Sequence, residues 1–478
     1  MTDQDDQVDA ALKLAVQTGL AIVSEHERQN KHIGTHVNFP EVNEFASGLP
    51  LFTVHLVSET APKNYGLIFS GDIRPDKIPD WQQYYELAQT HPALVKYYSD
   101  YAVHEFNTEE EQSVRTIMHM FMIGHTITNL IDRFIHITHQ TEFDEVAFRK
   151  IYLQWKEGAF ATRLCFDVVI PILLVDFDFD EIDLPEDARI ERMDDHFQLA
   201  RSRESRYTVS ANGSVVGAAT HAFIITNWSV PNAPLQQRSH LMGRLETFSN
   251  VIPLIDNLFS ALRTITGVQT GYGQLIARHN EWGDSWIAYL PDIEIVELRA
   301  YPDTFEDFGW LRIPPVLTKV QCEKMGDIYS ALVNSPNNQL MVAGRRMNAA
   351  YLRVSEEDSI LDIVIGLEAL LVKDGRTGEI THKLAMRLAA LCKMQPFEQY
   401  TPQEVFALCK KLYSLRSNAA HGTHSIDKNR NVKLEKTDNE IPLVNSGLAL
   451  LRHALAFLCI HPEFLDSAKF DVYLLENG

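Results

Sequence analysis

Three apolar-periodic segments follow one another between Glu357 and Gly422: ILDIVIGLEALLV (360–372), EITHKLAMRLAAL (379–391) and EVFALCKKLYSLRSNAAHG (404–422). In the first, Ile360, Leu361, Val364, Leu367 and Leu371 recur with the period of a helix, and Ile363, Ile365 and Leu370 fill much of the remaining circumference. A helix that is apolar on most sides is buried on most sides, so this stretch belongs inside a helical bundle. Glu368 sits one turn past Val364 in the same stripe. A carboxylate there is costly unless it is paired.

Cationic partners are close at hand. On the second segment Ile380, Leu384, Leu388 and Leu391 form the stripe, with Lys383 and Arg387 at i+3 and i+7 from Ile380. On the third, Val405, Leu408, Leu412, Leu415 and Ala419 form it, and Arg416 lies one turn past Leu412. His421 follows at the helix end, and Gly422 suits its termination. Glu368 is therefore expected to pair with Arg387, Lys383 or Arg416 and to fix the register of the bundle. With Arg416 as its partner, it would also orient that guanidinium.

Arg416-Ser-Asn-Ala-Ala-His421 fits an R-x4-6-H motif, and the three blocks SILDIVIGLEALL, EITHKLAMRLAAL and KKLYSLRSNAAHG stand in order at consistent helical phase. In these features roughly the last third of the chain resembles the Apea-like branch of the HEPN domains. The resemblance implies a metal-independent endoribonuclease with no cofactor, RNA as substrate, and Arg416 and His421 as catalytic residues. Ser417, Asn418, Glu368, Lys383 and Arg387 would support them or bind RNA. The residue types suit that chemistry: a neutral imidazole can take the proton of a ribose 2′-hydroxyl as it attacks the adjacent phosphate. A guanidinium can neutralise the charge that builds on the phosphate oxygens. The products would be a 2′,3′-cyclic phosphate and a 5′-hydroxyl. Five residues along a regular helix leave Arg416 and His421 about 140° apart, so either the last turn unwinds or one of the two serves a neighbouring chain. HEPN domains usually pair with two motifs facing one cleft, which implies a homodimer. Ser417 departs from the Asn, Asp or His that follows the arginine in many of these nucleases. The competing account of the Arg/His pair is structural: both suit the negative end of a helix dipole.

Charge is unevenly distributed. The chain carries a formal −21. Residues 315–478 hold 19 basic and 19 acidic side chains, which leaves 24 basic and 45 acidic in 1–314. Within 373–436 there are 12 basic against 6 acidic, an island compatible with a polyanion site or with a solvated helical face. Five cysteines show no metal-binding spacing and read as reduced thiols. The acidic start MTDQDDQVDAALKLAV lacks the positive charge of a signal peptide, and no apolar run approaches the roughly 20 residues of a membrane span. A cytoplasmic, soluble protein is expected.

The remainder predicts a predominantly helical α+β fold: a mixed, acidic α+β region over 1–314, with subdomains 1–158 and 159–314, followed by an all-α HEPN-type bundle over 315–478. Helices are expected near 5–29, 80–103, 108–139, 143–157 and 239–266. Strands are expected in LFTVHLV, YGLIFSG, RLCFDVVIPILLVDFDFDEIDL, ESRYTVSANGSVV, HAFIITNWSV and IEIVELRAY. The bundle helices fall near 316–334, 337–354, 357–373, 377–393, 402–421 and 443–461, with a basic loop between His421 and Pro442. Asp176, Asp178 and Asp180 alternate on one strand face, which suits a cation or an acid-protected sheet edge. His119, His125, His136 and His139 share a helix with Asp132, but no comparable zinc ligand set completes them, so no metal is expected. Gly271-Tyr-Gly273 is a fragment of a nucleotide-type glycine pattern. The amino-terminal region would be the sensor of an unidentified trigger, in a toxin or antiviral-defence protein. The alternative is a non-catalytic HEPN module that binds RNA or a nucleotide, or simply dimerises.

Overall fold

A computed structural model describes residues 3–56, 58, 60–69, 78, 80–99, 109–204, 211–242, 245–336, 338–372, 380–397, 400–420, 431–433 and 440–477. It is a predominantly helical α+β fold.

The amino-terminal layer consists of α1 (Asp3–Arg28), α2 (Trp81–Thr90), α3 (Pro92–Tyr97), α4 (Glu109–Thr138) and α5 (Glu145–Phe160), with the hairpin β1 (Pro40–Glu44) and β2 (Pro50–Val54) between α1 and α2. Val8, Leu12, Ala15, Val16 and Val23 make the buried stripe of α1 against Ile123, Ile127, Ile131 and Phe134 of α4 and Tyr152 and Trp155 of α5. Asp144 starts α5 by accepting the Ala147 N–H. YGLIF, expected as a strand, is a 3-10 turn over Tyr65–Phe69. The Tyr65 N–H donates to the Asp132 carboxylate of α4 at 2.8 Å instead of to a strand neighbour.

The middle of the chain is a six-stranded antiparallel sheet. Its strands are β3 (Arg163–Pro171), β5 (Glu181–Leu184), β6 (Ala188–Arg192), β7 (His221–Pro231), β8 (Tyr272–His279) and β9 (Ile293–Ala300), in the order β5-β6-β7-β3-β8-β9. The two-residue alternation of strands sorts its side chains. Leu164, Phe166, Val168 and Ile170 of β3, Phe223 and Ile225 of β7, and Leu275 and Ala277 of β8 face the carboxy-terminal bundle. Val169, Ile224 and Ile276 face α6 (Asp195–Glu204) and α7 (Gly213–Gly217). GSVV, expected in a strand, forms α7, because Asn212 caps a helical turn by accepting the Ser214 N–H. β8 was not anticipated. Gly271 is needed at its start for close approach: a Cβ there would lie 2.2 Å from the Ala300 carbonyl oxygen.

The helix expected at 239–266 is two, α8 (Leu235–Met242) and α9 (Ile252–Thr266). Pro253 occupies the first turn of α9, and Gly267 closes it at φ 66°. Then come α10 (Lys319–Asn334), α11 (Asn338–Leu352), α12 (Glu356–Leu371), α13 (Ile380–Met394), α14 (Pro402–Ala420), the short pair β11 (Asn431–Lys433) and β12 (Glu440–Pro442), α15 (Leu443–Ile460) and the unanticipated α16 (Ala468–Asn477). Thr318 and Gln321 form a capping box at α10, and Ser355 caps α12. α15 is long and apolar enough to cross a membrane by length and composition. Its apolar residues Leu450, Leu451, Ala454, Leu455 and Leu458 are buried in the bundle core against α9, α11 and α12.

The expected boundary at 314/315 does not fall at a break in the core. β10 (Val316–Leu317) pairs in parallel with β4 (Asp176–Phe177). Lys319 N–H donates to Asp178 Oδ1 at 2.9 Å, and Asn334 donates to Glu186 at 2.7 Å. Buried Arg263 of α9 reaches Asn348 of α11 at 2.6 Å. One continuous hydrophobic cluster runs from Leu164 of the sheet to Phe470 of α16.

At the sheet edge, burial and then the Asp292 charge push Glu294 of β9 up to about 7; His279 opposes this, while Glu204 and Asp284 add to it. The folded state therefore holds this proton above the pH at which the unfolded chain releases it. The stability this group contributes is fully present below about pH 4.5 and is lost as pH rises through about 7. Glu294→Gln should raise stability at pH 8 by about 3 kcal/mol and leave it nearly unchanged at pH 4.5. Denaturant midpoints of the two proteins at the two pH values check this.

Candidate functional site

Glu368 lies in the last turn of α12, and Arg416 in the last turns of α14. The stripes anticipated from sequence hold both in place: Val364, Leu367 and Leu371 on one helix and Leu408, Leu412 and Leu415 on the other are buried in the shared core. Of the three possible partners, Glu368 faces Arg416, with Nη2 3.9 Å from Oε2. The Arg416 side chain is 32% exposed and that of Glu368 23%, so the pair stands at the edge of the bundle. Tyr413, one turn before Arg416, completes the group; the guanidinium lies over its ring, 5.5 Å from the centroid. Burial first, then the Glu368 charge, raises the Tyr413 hydroxyl pKa, while Arg416 and Thr381 oppose the rise. Nε of Arg416 is buried with no acceptor among the described residues.

The other expected site residues divide. Ser417 follows Arg416 on α14 and is partly buried. The side chain of Asn418, and His421 with the loop after it, lie outside the described residues, so the approach of His421 to Arg416 lies outside them as well. The Arg387 hydrogen bond holds the Asp471 carboxyl low, and the charge of Lys383 adds a smaller effect in the same direction. Arg387 is a correction. Its guanidinium is buried and holds α16: Nε and Nη2 donate to the two Asp471 oxygens at 2.9 and 2.6 Å, and Nη1 donates to the Leu371 carbonyl at 2.7 Å and Ser467 Oγ at 3.0 Å. A fork with these donors engaged is a clamp between helices rather than a phosphate ligand. The guanidinium of Arg387 is thus taken up by α16 rather than by Glu368; the α12 carboxylate that is deeply buried and doubly paired is Asp362, with Arg346 at 2.8 Å and Arg353 at 2.9 Å. Lys411 donates to the Asn431 carbonyl at 2.8 Å and so ties α14 to β11.

Tyr413 and Thr381 were not anticipated. The i, i+3 spacing of Tyr413 and Arg416 on one helix carries the signal for the former; Thr381 comes from a different helix and leaves none. The alternating acids do not converge on a cation. Asp176 accepts from Thr220, Asp178 caps α10, and Asp180 pairs with Arg192. Gly271 and Gly273 belong to the start of β8 rather than to a phosphate loop. All five cysteines are free; burial pushes the thiols of Cys322, Cys392 and Cys409 up to about 12. The chain matches no protein-family model, no curated protein and no solved structure.

Proposed function

We propose that this protein is a HEPN-type endoribonuclease that cuts RNA without a metal, acting in the cytoplasm as a homodimer whose bundles face one cleft. The observation that supports it most is the presentation of Arg416. The side chain is steadied by Glu368 and Tyr413, stands a third exposed near the end of its helix, keeps a buried Nε–H with no acceptor among the described residues, and precedes His421 by five residues. A guanidinium placed in this way can accept the charge that develops on a phosphate while an imidazole removes the 2′-hydroxyl proton. The acidic amino-terminal layer and sheet would then restrain the bundle until a trigger arrives, as befits a toxin or antiviral-defence protein. Ser417 favours a second reading, an RNA-binding module that does not cut, since a hydroxyl is a weaker phosphate or base ligand than the usual residue.

The full chain is to be incubated with total RNA in EDTA and the 3′ ends of the products examined. Cleavage that leaves 2′,3′-cyclic phosphates and disappears in His421→Ala is expected. Salt-sensitive binding without cleavage would favour the second reading, and cleavage unchanged in His421→Ala would remove His421 from the mechanism.

A further inference from the structure

A second site stands in the amino-terminal layer, in a different core cluster from Arg416. Asp132 and His136 lie one turn apart on α4 and were visible in the sequence as an incomplete ligand pair. The structure supplies the third member, His36, from the segment between α1 and β1. That segment is fixed by a bridge between Thr35 and Lys63 and by the His36 N–H donating to the Pro62 carbonyl at 2.9 Å. The three side chains are nearly buried, and one donor atom from each lies within 4.8 Å of the others.

The two imidazoles reach the carboxylate at distances that are long for charged hydrogen bonds. His36 Nε2 is 3.3 Å from Asp132 Oδ2, and His136 Nε2 is 3.6 Å from Asp132 Oδ1. Charge-assisted hydrogen bonds between such groups run at about 2.7–2.9 Å. The edge of a tetrahedron with metal–ligand bonds of about 2.0–2.1 Å is about 3.3 Å; the His36–Asp132 separation equals it, and the His136–Asp132 separation, to the other carboxylate oxygen, is 3.6 Å. The remaining oxygen capacity is ordered as a metal site requires, because the Tyr65 N–H orients Asp132 Oδ1 at 2.8 Å. The Lys63 carbonyl lies 2.8 Å from His136 Nε2. With an ion in place that nitrogen gives its lone pair to the metal rather than its proton to the carbonyl, and the carbonyl oxygen becomes available as a further donor.

His36 and Asp132 also line a cavity of about 460 Å³ between α4, the Tyr65–Phe69 turn and the Ser285–Ile287 segment. Two polar atoms of residues in its wall, Asn129 Oδ1 and Arg203 Nε, are buried with no partner among the described residues. A ligand that offers a hydroxyl donor to Asn129 Oδ1 and an oxygen acceptor to Arg203 Nε would satisfy both.

The geometry points to a divalent first-row transition-metal site, zinc being the best fit, formed by His36, Asp132 and His136 and open on one side to a cavity that takes an anionic ligand that also carries a hydroxyl. Two imidazoles and one carboxylate with a free position form the donor set of an ion that binds a ligand, in contrast to the closed four-ligand set of a structural zinc. The site is independent of the RNA-cutting chemistry, which needs no metal.

The test is cobalt(II) titration of the full chain after removal of metal by a chelator. One equivalent should give visible d–d absorption that zinc abolishes, together with a higher melting temperature. His36→Gln and His136→Gln should each weaken binding on the order of 100-fold or more, whereas His382→Gln, at an exposed position, should not. If the two variants fold poorly, the proton spectrum of the cobalt-loaded wild type decides, with paramagnetically shifted imidazole N–H signals from two histidines expected. Absence of the absorption and of the shifted signals would overturn the site, as would equal affinity in folded His36→Gln, His136→Gln and wild-type protein.

Discussion

Arg416→Ala is expected to slow RNA cleavage on the order of 10³-fold or more, the loss seen when a preorganised donor to transition-state charge is removed. The unfolding midpoint should move little. The side chain is a third exposed, and its approach to Glu368 at 3.9 Å is that of a partly solvated ion pair, worth about 0–1 kcal/mol. Arg416→Lys should recover little activity, because an ammonium cannot reproduce the planar fork or its stacking over Tyr413. Glu368→Gln should fall between, lowering kcat about 10-fold with KM nearly unchanged, since the arginine remains but is less firmly aimed. Single-turnover cleavage in EDTA, run beside thermal unfolding of each variant, measures these effects. Wild-type cleavage by Arg416→Ala would leave the bundle without its proposed chemistry.

The largest effect on stability is expected at Arg387. Arg387→Ala removes a buried guanidinium and the four hydrogen bonds that join α13 to the end of α12, to Ser467 and to Asp471 of α16. Asp471 is half exposed and can be rehydrated, whereas the Leu371 carbonyl and the Ser467 hydroxyl bonds are buried. Losing charge-assisted bonds and leaving those acceptors unpaired should cost about 3 kcal/mol, read as a shift of the urea midpoint without change of slope. Arg387→Lys should recover less than half of this, because a point charge cannot hold both Asp471 oxygens and the carbonyl together. A midpoint unchanged in Arg387→Ala would show that α16 is held by its apolar contacts alone.

What the sequence reveals depends on whether the cause is local. The bundle helices were legible within a few residues because each carries a long apolar stripe, and an acid within such a stripe signals a partner. Glu368 was one such signal, and the choice of Arg416 over Arg387 was not, because α16 had no recognised pattern and supplied the competing acid Asp471. β8 was hidden by two glycines and by the polar Gln274, Arg278 and His279, whose placement becomes reasonable only beside β3 and β9. The break between α8 and α9 is carried by Pro253, which an apolar count passes over. His36 could not have been joined to Asp132 in advance, since 96 residues separate them and only the folded bridge between Thr35 and Lys63 brings them together.

The shared interior from Leu164 to Phe470 constrains how such a protein could be switched. The carboxy-terminal helices share their core with the sheet, so under the proposed function activation by swinging one module away would expose the whole seam between α9 and its neighbours to water. A message received by the amino-terminal layer would have to travel as a small readjustment of packed side chains, in the manner of a gear train rather than a hinged lid.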